Sequence, residues 1–271
     1  MSDIKFSVVI PLYNKEQSIV NTILSVLKQS YQNFEIVIID DGSTDSSVDA
    51  VKFINDERVR LIHQENQGVS AARNRGIKEA SYEWIALLDG DDLWGANHLE
   101  EIIKMMNAFP DEKVFVTSFE YSDKRKMFKH DRKSSFFKID NYFKEAMKEF
   151  IMWTSIVVVN KGCFDQVEGF NVNINRGEDL DLWMRLAKNY NIIKSQKVTA
   201  IYNIEDSKSL TKSKSKYEKS ILSIIDLHDK IGFERAYLKK MLINRIKLEI
   251  KILDIKSLVS ILIKHNIELL K

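Results

Sequence analysis

Residues 35–45 read Glu35-Ile-Val-Ile-Ile-Asp40-Asp41-Gly-Ser-Thr-Asp45, a short apolar run that ends in an acidic turn. A continuous apolar run of this length is typical of a strand buried on both faces of a sheet. Residues 6–10, 59–63 and 84–89 also have strand character, and apolar residues at helical spacing lie between these segments. Strands that alternate with helices in this way predict right-handed crossovers and a mostly parallel sheet flanked by helices. The sequence therefore predicts an α/β fold.

Polar residues stand at the ends of three of these predicted strands. The three segments read Pro11-Leu-Tyr13, Asp40-Asp41-Gly42 and Asp89-Gly90-Asp91-Asp92. In open sheets of this type, ligands bind outside the carboxyl ends of the strands. We therefore expect the polar chemistry of this chain to be gathered at one edge of the sheet.

Composition limits the classes of protein to which the chain can belong. Its 271 residues, 44% hydrophobic and 30% charged, suit one folded domain with or without a helical extension. A net charge of only +2 predicts no nucleic-acid partner. The single cysteine, Cys163, suits a reducing compartment. No leader pattern opens the chain and no run reaches the roughly 18 apolar residues of a membrane span, so we expect a cytoplasmic protein whose membrane contact, if any, is peripheral.

The pattern changes at about residue 112. Further strands are predicted at residues 114–121 and 153–160, a basic loop at 124–138 and a helix at 180–186. A Ser/Lys-rich link at 207–216 precedes amphipathic helix that runs to the end. We expect one domain over residues 1–215, in two halves at 1–111 and 112–215, and a helical extension over 216–271.

The acidic segment after the fourth strand predicts a metal site. Asp89 and Asp91 flank a glycine, and a turn there directs both carboxylates toward one point. Carboxylate and phosphate oxygens are the ligands that Mg²⁺ and Mn²⁺ prefer. A cation held at this point would stabilise the charge of a departing diphosphate. The alternative is a turn whose carboxylates only cap the following helix.

Two other strand ends suit a nucleotide. The carboxylate of Asp41 can accept the N3–H of uracil, Gly42 allows close approach of the backbone, and Tyr13 can stack on the base. A helix-capping turn and a partly buried core tyrosine are the alternatives. Near the start of the third helix, glycine and alanines predict tight packing, and Arg73 can reach a phosphate or an acid of the site.

A pair of acids, Glu178 and Asp179, opens a later helix. A carboxylate at that position can take a proton from an attacking hydroxyl. Stabilisation of the helix N-terminus by negative charge explains the same pair without catalysis. This segment by itself favours the structural explanation.

Taken together, five segments resemble the family 2 glycosyltransferases, which have the GT-A fold. They are Ser7-Val-Val-Ile-Pro-Leu-Tyr-Asn14, Ile38-Ile-Asp-Asp-Gly-Ser-Thr-Asp45, Asn66-Gln-Gly-Val-Ser-Ala-Ala-Arg-Asn74, Leu88-Asp-Gly-Asp-Asp-Leu-Trp94 and Gly177-Glu-Asp-Leu-Asp-Leu-Trp-Met-Arg185. The resemblance covers about residues 5–215. It implies a nucleotide-sugar donor, usually UDP-linked, a divalent metal (Mn²⁺ or Mg²⁺) and inversion at the anomeric carbon. It also implies a glycan or lipid-linked acceptor and a role in polysaccharide or glycoconjugate synthesis.

The resemblance assigns roles to individual residues. Residues 1–111 would bind the donor and residues 112–215 the acceptor, with Trp153 on the acceptor side. Asp179, or its neighbour Glu178, would act as the base, and Asp91 with Asp89 would hold the metal. The donor would contact Pro11, Tyr13, Asp41, Asn66, Gly68, Arg73, Asp89 and Gly90.

The chain departs from the family pattern at two places. Glu168 stands before Gly169-Phe170, where many members have a further glycine, and Tyr202-Asn-Ile-Glu205-Asp206 replaces a segment that often carries an Arg-x-His. Whether Glu205 or Asp206 substitutes for that histidine stays open. The alternatives are a non-catalytic sugar-nucleotide or glycan-binding module and a sugar-1-phosphate nucleotidyltransferase. The segment after the first strand has no glycine-rich phosphate loop, which disfavours the latter and any NAD-dependent dehydrogenase.

The C-terminal segment carries apolar and basic residues at helical spacing. The apolar set is Ile221, Ile224, Ile225, Leu227, Ile231, Leu238, Leu242, Ile246 and Ile250, and the basic set is Lys239, Lys240, Arg245, Lys247 and Lys251. A basic amphipathic helix of this type suits an anionic membrane surface. Packing on the rest of the chain or on a second copy in a homodimer requires the same apolar face. The sequence leaves these two interpretations open.

Overall fold

The computed structural model describes residues 4–126, 134–204 and 217–270. Its first half contains β1 (Phe6–Leu12), α1 (Ile19–Leu27), β2 (Phe34–Asp40), α2 (Ser47–Lys52), β3 (Val59–His63), α3 (Val69–Glu79) and β4 (Trp84–Leu87). The four strands are parallel and lie in the order β3-β2-β1-β4. Every residue of β2 is buried, because helices cover both faces of a parallel sheet. The predicted α/β fold is confirmed.

Helix α3 packs closely against the strands because residue 76 is glycine. A Cβ atom at Gly76 would lie 2.3 Å from Cγ1 of Val9 and 3.3 Å from Cγ1 of Ile39. No larger residue fits without displacing the helix. The tight packing predicted for this segment is therefore present, and it brings Arg73 of the same helix toward the ends of the strands.

The second half adds strands of mixed direction to the same sheet. It contains β5 (Leu93–Trp94), α4 (His98–Ala108), β6 (Val114–Tyr121), β7 (Phe136–Lys138), α5 (Tyr142–Ala146), β8 (Val157–Asn160), α6 (Lys161–Val167), α7 (Glu178–Asn189) and β9 (Ile192–Tyr202). Strand β8 is antiparallel to both β4 and β6. Strand β9 is parallel to β6 and antiparallel to β5 and β7. The structure matches the GT-A architecture that the resemblance implies.

Local predictions in this half need three corrections. The loop predicted over residues 124–138 ends in strand β7, and residues 127–133 lie outside the described residues. The strand predicted over 153–160 begins with a turn of 3₁₀ helix at Thr154–Ile156. Strand β9 was not predicted, because its buried positions include Lys194 and Ser195 and so break the apolar pattern.

The C-terminal segment is less helical than its spacing predicts. Turns of 3₁₀ helix occur at Tyr217–Lys219 and Ile221–Ser223, and regular helix begins only with α8 (Gly232–Ile252), followed by α9 (Ile255–Leu270). Residues 217–223 do not form α-helix because they pack on the segment before α7. There, the N–H of Ile221 donates to the carbonyl of Arg176 at 2.9 Å. The predicted link at 207–216 lies outside the described residues. Among the helices that the structure describes, none combines the length and apolar character needed to cross a membrane.

Candidate active site

A cavity of about 590 Å³ lies at the carboxyl ends of β1, β2 and β4. Every site residue predicted from the sequence lines it: Pro11, Tyr13, Asp41, Asn66, Gly68, Arg73, Asp89, Gly90, Asp91, Trp153, Glu178 and Asp179. Lys15 and Arg176 line it as well and were not predicted. The cavity lies within the range of roughly 300–1,000 Å³ that is usual for small-molecule sites. The structure therefore brings both halves of the predicted site into one space.

The acidic turn after β4 is fitted closely against β1. A Cβ atom at Gly90 would lie 3.1 Å from the carbonyl oxygen of Pro11, so a side chain there would press on the strand end. The hydroxyl of Ser18 donates to the carbonyl of Gly90 at 3.0 Å. Asp89 and Asp91 are therefore presented on a turn whose backbone is held from two sides.

Asp91 is ion-paired with a lysine. Its Oδ2 atom lies 2.6 Å from Nζ of Lys15, and the two side chains are only 12% and 15% exposed. The backbone N–H of Lys15 donates to Oγ of Ser47 at 2.7 Å, which fixes the start of this side chain. Lys15 could have been predicted as a site residue only from its position shortly after the end of β1, where the carboxyl ends of the strands meet the cavity.

Arg73 joins the two halves of the cavity. Its guanidinium donates to Oδ1 of Asp89 at 2.6 Å and to Oε1 of Glu178 at 2.9 Å. Burial lowers the pKa of Arg73, but the charges of Asp89 and Glu178 outweigh burial and raise it above its usual value. The guanidinium also lies 5.1 Å from the centroid of the Phe170 ring. Arg73 is thus a permanent cation that links the acidic turn to the start of α7.

Asp179, next to Glu178, has a pKa close to neutral. Burial, followed by the negative charge of Glu178, raises the pKa of Asp179 to about 7, although the positive charge of Arg73 partly opposes this. Its Oδ1 accepts the N–H of Leu180 at 2.8 Å. Both the capping and the proton-transfer interpretations of this acid are compatible with the geometry. A carboxyl group with a pKa near the working pH suits a general base.

Asp41 organises the neighbouring loop. Its carboxylate accepts the backbone N–H groups of Gln67 and Gly68 at 2.9 and 2.8 Å, and the side-chain amide of Gln64 at 2.8 Å. A carboxylate offers about four acceptor positions, and these contacts with described residues occupy three of them. These three contacts could not be predicted from the sequence, because they join the end of one strand to the loop that follows another.

Gly42 brings two loops together. It has a φ of 75°, and a Cβ atom there would lie 3.1 Å from the backbone nitrogen of Asn66. The glycine predicted to admit a base thus permits the contact between the Asp41 turn and the loop of Asn66 and Gly68. This contact shapes the cavity wall around the two predicted donor residues.

Aromatic rings line the opposite wall and the mouth. The ring centroid of Trp153 lies 4.6 Å from that of Tyr202, and also 4.6 Å from that of Phe119. Tyr13 is 48% exposed, which leaves its ring face available to a flat ligand. The structure therefore offers stacking surfaces at both predicted aromatic positions.

Asp92 is a buried acid with a structural role. The sequence does not distinguish this role from the site roles predicted for Asp89 and Asp91. It is completely buried, accepts the hydroxyl of Ser155 at 2.6 Å and accepts the N–H of Asn203 at 3.0 Å. Burial, followed by the charges of Asp91 and Asp89, raises the pKa of Asp92 well above its usual range. Asp92 therefore fastens the acidic turn to the second half of the domain.

Comparison with known proteins decides the family. Residues 7–167 match the family model described as "Glycosyl transferase family 2". This chain belongs to that family. The match contains four of the five segments on which the sequence resemblance rests, and Glu178 and Asp179 lie beyond it.

Relatives of this glycosyl transferase match it over different lengths. An uncharacterized glycosyltransferase of Rickettsia bellii is 31% identical over 95% of the chain, but the chain spans only 37% of that protein. The Escherichia coli protein WfgD, named UDP-Glc:alpha-D-GlcNAc-diphosphoundecaprenol beta-1,3-glucosyltransferase, is 44% identical over 39% of the chain and 42% of its own length. The structure of S. aureus TarS in complex with UDP-GlcNAc matches with a TM-score of 0.79 at 19% identity, over 96% of this chain and 80% of TarS. The likeness to TarS establishes the fold.

The charged lining of the cavity is compatible with a divalent cation that takes one or two ligands from carboxylates and the others from a bound diphosphate and water. Five carboxyl groups and three basic side chains line it, so its described walls carry an excess of acids. Within the described part of the chain, no group of three or more His, Cys, Asp or Glu side chains can hold a metal ion by itself. Mg²⁺ commonly binds through one or two carboxylates and completes its shell with phosphate oxygens and water. Asp89 and Asp91 are the two carboxylates of the acidic turn that line the cavity, and Glu205 and Asp206 lie outside the described residues.

Proposed function

We propose that this glycosyl transferase moves a sugar from a nucleotide-sugar donor to an acceptor hydroxyl, with inversion at the anomeric carbon. The observation that carries the proposal is the chain of contacts from Asp89 through Arg73 to Glu178, next to Asp179. It joins the acidic turn, where a diphosphate would lie, to an acid whose pKa is about 7. A donor site and a proton acceptor in one cavity are what a single displacement requires.

The donor is UDP-linked in this proposal. The remaining acceptor position of Asp41 would take the N3–H of uracil, and the exposed ring of Tyr13 would cover the base. Pro11, Asn66, Gly68 and Gly90 would shape the space around the nucleotide. The name of WfgD, which includes UDP-Glc, and the TarS complex with UDP-GlcNAc support this choice.

The transfer of the sugar would form one bond and break another at the anomeric carbon. The acceptor oxygen forms a bond to the anomeric carbon while the bond from that carbon to the diphosphate oxygen breaks. The acceptor proton passes to Asp179, and the electron pair of the broken bond leaves with the nucleoside diphosphate. Arg73 and Lys15 would provide positive charge close to the leaving group. Attack opposite the leaving group inverts the anomeric centre.

A divalent cation, Mn²⁺ or Mg²⁺, is part of the proposal. Asp91, with Asp89, would hold it, and when bound it would stabilise the negative charge on the departing diphosphate. The ammonium group of Lys15 would then have to leave Asp91 or share it. Metal dependence is therefore testable at a single carboxylate.

The acceptor is a glycan or a lipid-linked glycan, and the product belongs to a cell-surface polysaccharide or glycoconjugate. We assign donor binding to residues 1–111, acceptor binding to 112–215 and an accessory role to 216–271. Trp153 would stack on the acceptor sugar, since aromatic rings pack well on the apolar faces of sugars. The WfgD name contains a diphosphoundecaprenol-linked acceptor, which supports a lipid-linked one here.

The helical extension would place the enzyme at an anionic lipid surface. Ile250, Ile255 and Ile263 are 56%, 69% and 74% exposed, and the lysines Lys251 and Lys256 are exposed among them. Apolar side chains mixed with lysines suit a lipid headgroup region. The protein should float with anionic vesicles at low salt, and Ile255→Glu with Ile263→Glu should prevent flotation. Unchanged flotation would refute the contact, and a dimer lost in this double variant would favour a homodimer surface.

Turnover separates the proposal from its alternatives. Purified protein, a UDP-sugar and Mn²⁺ are assayed for free UDP with and without candidate acceptors. We expect acceptor-dependent release of UDP that chelator abolishes. Binding of UDP without turnover would support a non-catalytic module, and formation of diphosphate from UTP and a sugar phosphate would support a nucleotidyltransferase.

A further inference from the structure

A second cavity, of about 480 Å³, lies beside the candidate active site. Helix α5, the segment 147–152 and helix α8 enclose it, so the C-terminal extension supplies one of its walls. Most of the lining is apolar, with Met147, Ile151 and Met241 among the residues that face it. We call this space the apolar cavity. The proposed donor chemistry makes no use of it.

The two cavities share a dividing wall. Met152 lines the apolar cavity and Trp153 the active site; Leu180 lines the apolar cavity and Asp179 the active site. The rings of Tyr121 and Tyr202, which face the apolar cavity and the active site respectively, lie 5.4 Å apart. The apolar cavity therefore lies directly behind the proposed base.

Charge supports the same connection. Burial raises the pKa of Tyr237 to about 12; the hydrogen bond with Tyr142 opposes this rise, and the nearby negative charge of Asp179 adds to it. Tyr237 and Tyr142, whose rings lie 6.2 Å apart, both line the apolar cavity. Asp179 thus lies close enough to influence groups on the far side of the dividing wall.

The rim of the apolar cavity is basic. Among the described residues that line it, Lys126, Lys148 and Lys240 are basic and Glu149 is acidic. All three lysines are exposed. Lys240 donates to the carbonyl of Met147, which holds α8 against the segment 147–152. An apolar interior with a positive rim fits a ligand that has an apolar chain next to an anionic group.

We propose that the apolar cavity binds the non-sugar part of the acceptor, and that this part is an apolar chain attached to a phosphate. The chain would lie among the methionines, the phosphate among the rim lysines, and the sugar hydroxyl would reach Asp179 past Trp153. This inference rests on the proposed function and specifies the class of its acceptor. It also gives α8 a part in acceptor binding.

Decyl phosphate, used below its micelle-forming concentration, tests the proposal by calorimetry on the full chain. We expect decyl phosphate to bind, whereas inorganic phosphate and decanol bind at least about tenfold more weakly, because each provides only half of the ligand. Met241→Glu should weaken binding of decyl phosphate by about tenfold or more, since it places a carboxylate in the apolar wall. Lys240→Glu should weaken it a few-fold, as expected for an exposed charge.

Matched variants keep the test specific. Ala236→Glu adds the same charge at an exposed position of α8, and Lys219→Glu reverses an exposed charge outside the cavity. Both should bind decyl phosphate as the wild type does, and all four variants should bind UDP normally. Equal binding by Met241→Glu and wild type, or equal loss in Ala236→Glu, would overturn the inference while UDP turnover still supports the enzyme. Loss of UDP turnover in the wild type would overturn the proposed function, and with it the acceptor role of the cavity.

Discussion

The two walls of the active-site cavity are built in different ways. On the wall that we propose binds the donor, here called the donor wall, the charged side chains have fixed partners: Lys15 pairs with Asp91, Arg73 bridges Asp89 and Glu178, and backbone N–H groups hold Asp41. On the wall that we propose faces the acceptor, here called the acceptor wall, the rings of Trp153 and Tyr202 lie 4.6 Å apart and provide apolar surface. The donor wall is thus organised for charge, and the acceptor wall for shape. We propose that the first wall holds the donor and its leaving group, that the second selects the acceptor, and that the base Asp179 stands where the two walls meet.

The largest effect should come from the acid at the meeting point of the two walls. Asp179→Asn should lower transfer by roughly 10²–10⁴-fold, because the acceptor proton then has no base. UDP affinity should stay near that of the wild type, since the donor wall is intact. Rates and calorimetry together measure this. If UDP binding fell instead, Asp179 would belong to the donor wall; Glu178→Gln, measured in parallel, shows whether its neighbour takes the same role.

Asp91→Asn should produce the next largest effect. Metal-dependent transfer should fall by about 10²–10³-fold, as expected when several kcal/mol of charge stabilisation are lost. The fold should persist, because Asp92 rather than Asp91 fastens the turn to Ser155. Activity is measured against Mn²⁺ concentration, with circular dichroism as the control for folding. Equal activity of mutant and wild type, or full wild-type activity in chelator, would refute the metal site.

The paired charges of the donor wall should also matter for stability. Arg73→Gln should lower the free energy of unfolding by ~3–5 kcal/mol, because it leaves Asp89 and Glu178 without their buried partner. Urea unfolding at pH 7 measures the change. Arg75→Gln on the same helix, where the arginine is 43% exposed beside Glu79, is the matched control and should cost less than ~1 kcal/mol. Similar losses in both variants would mean that the Arg73 bridge has no special stabilising role.

A smaller difference is expected between the binding affinities of UDP and GDP. UDP should bind about tenfold more tightly than GDP, because a purine would crowd a space closed by Tyr13 and the loop of Asn66 and Gly68. Calorimetry with both nucleotides in the presence of Mn²⁺ decides this. Equal or tighter binding of GDP would contradict the uracil assignment to Asp41.

The sequence predicts the donor wall better than the acceptor wall, for a physical reason. Acidic turns follow directly after apolar strands, and the direction of parallel strands places those turns at one edge, so Asp41, Asp89 and Asp91 could be found from the chain alone. Their pairing was not predictable, since Lys15 and Asp91 are 76 residues apart and Arg73 and Glu178 are 105 apart.

The acceptor side depends on contacts between distant segments. Strand β9 lacks a continuous apolar pattern because Lys194 is buried in it. The ammonium of Lys194 donates to the carbonyls of Thr117 and Ile151, and burial lowers its pKa to about 8. The apolar cavity forms only where α5 and α8 meet. Neither feature leaves a local pattern that periodicity or turn chemistry could reveal.

The pH dependence of transfer tests the central claim most directly. The raised pKa of Asp179, about 7, means that its basic form is scarce at pH 6 and predominant at pH 8. With saturating UDP-sugar, Mn²⁺ and acceptor, the rate should rise about tenfold per pH unit below that value and reach a plateau above it. The residual rate of Asp179→Asn should lack this step. A wild-type rate that does not change between pH 5.5 and 8, or the same step in Asp179→Asn, would contradict the account.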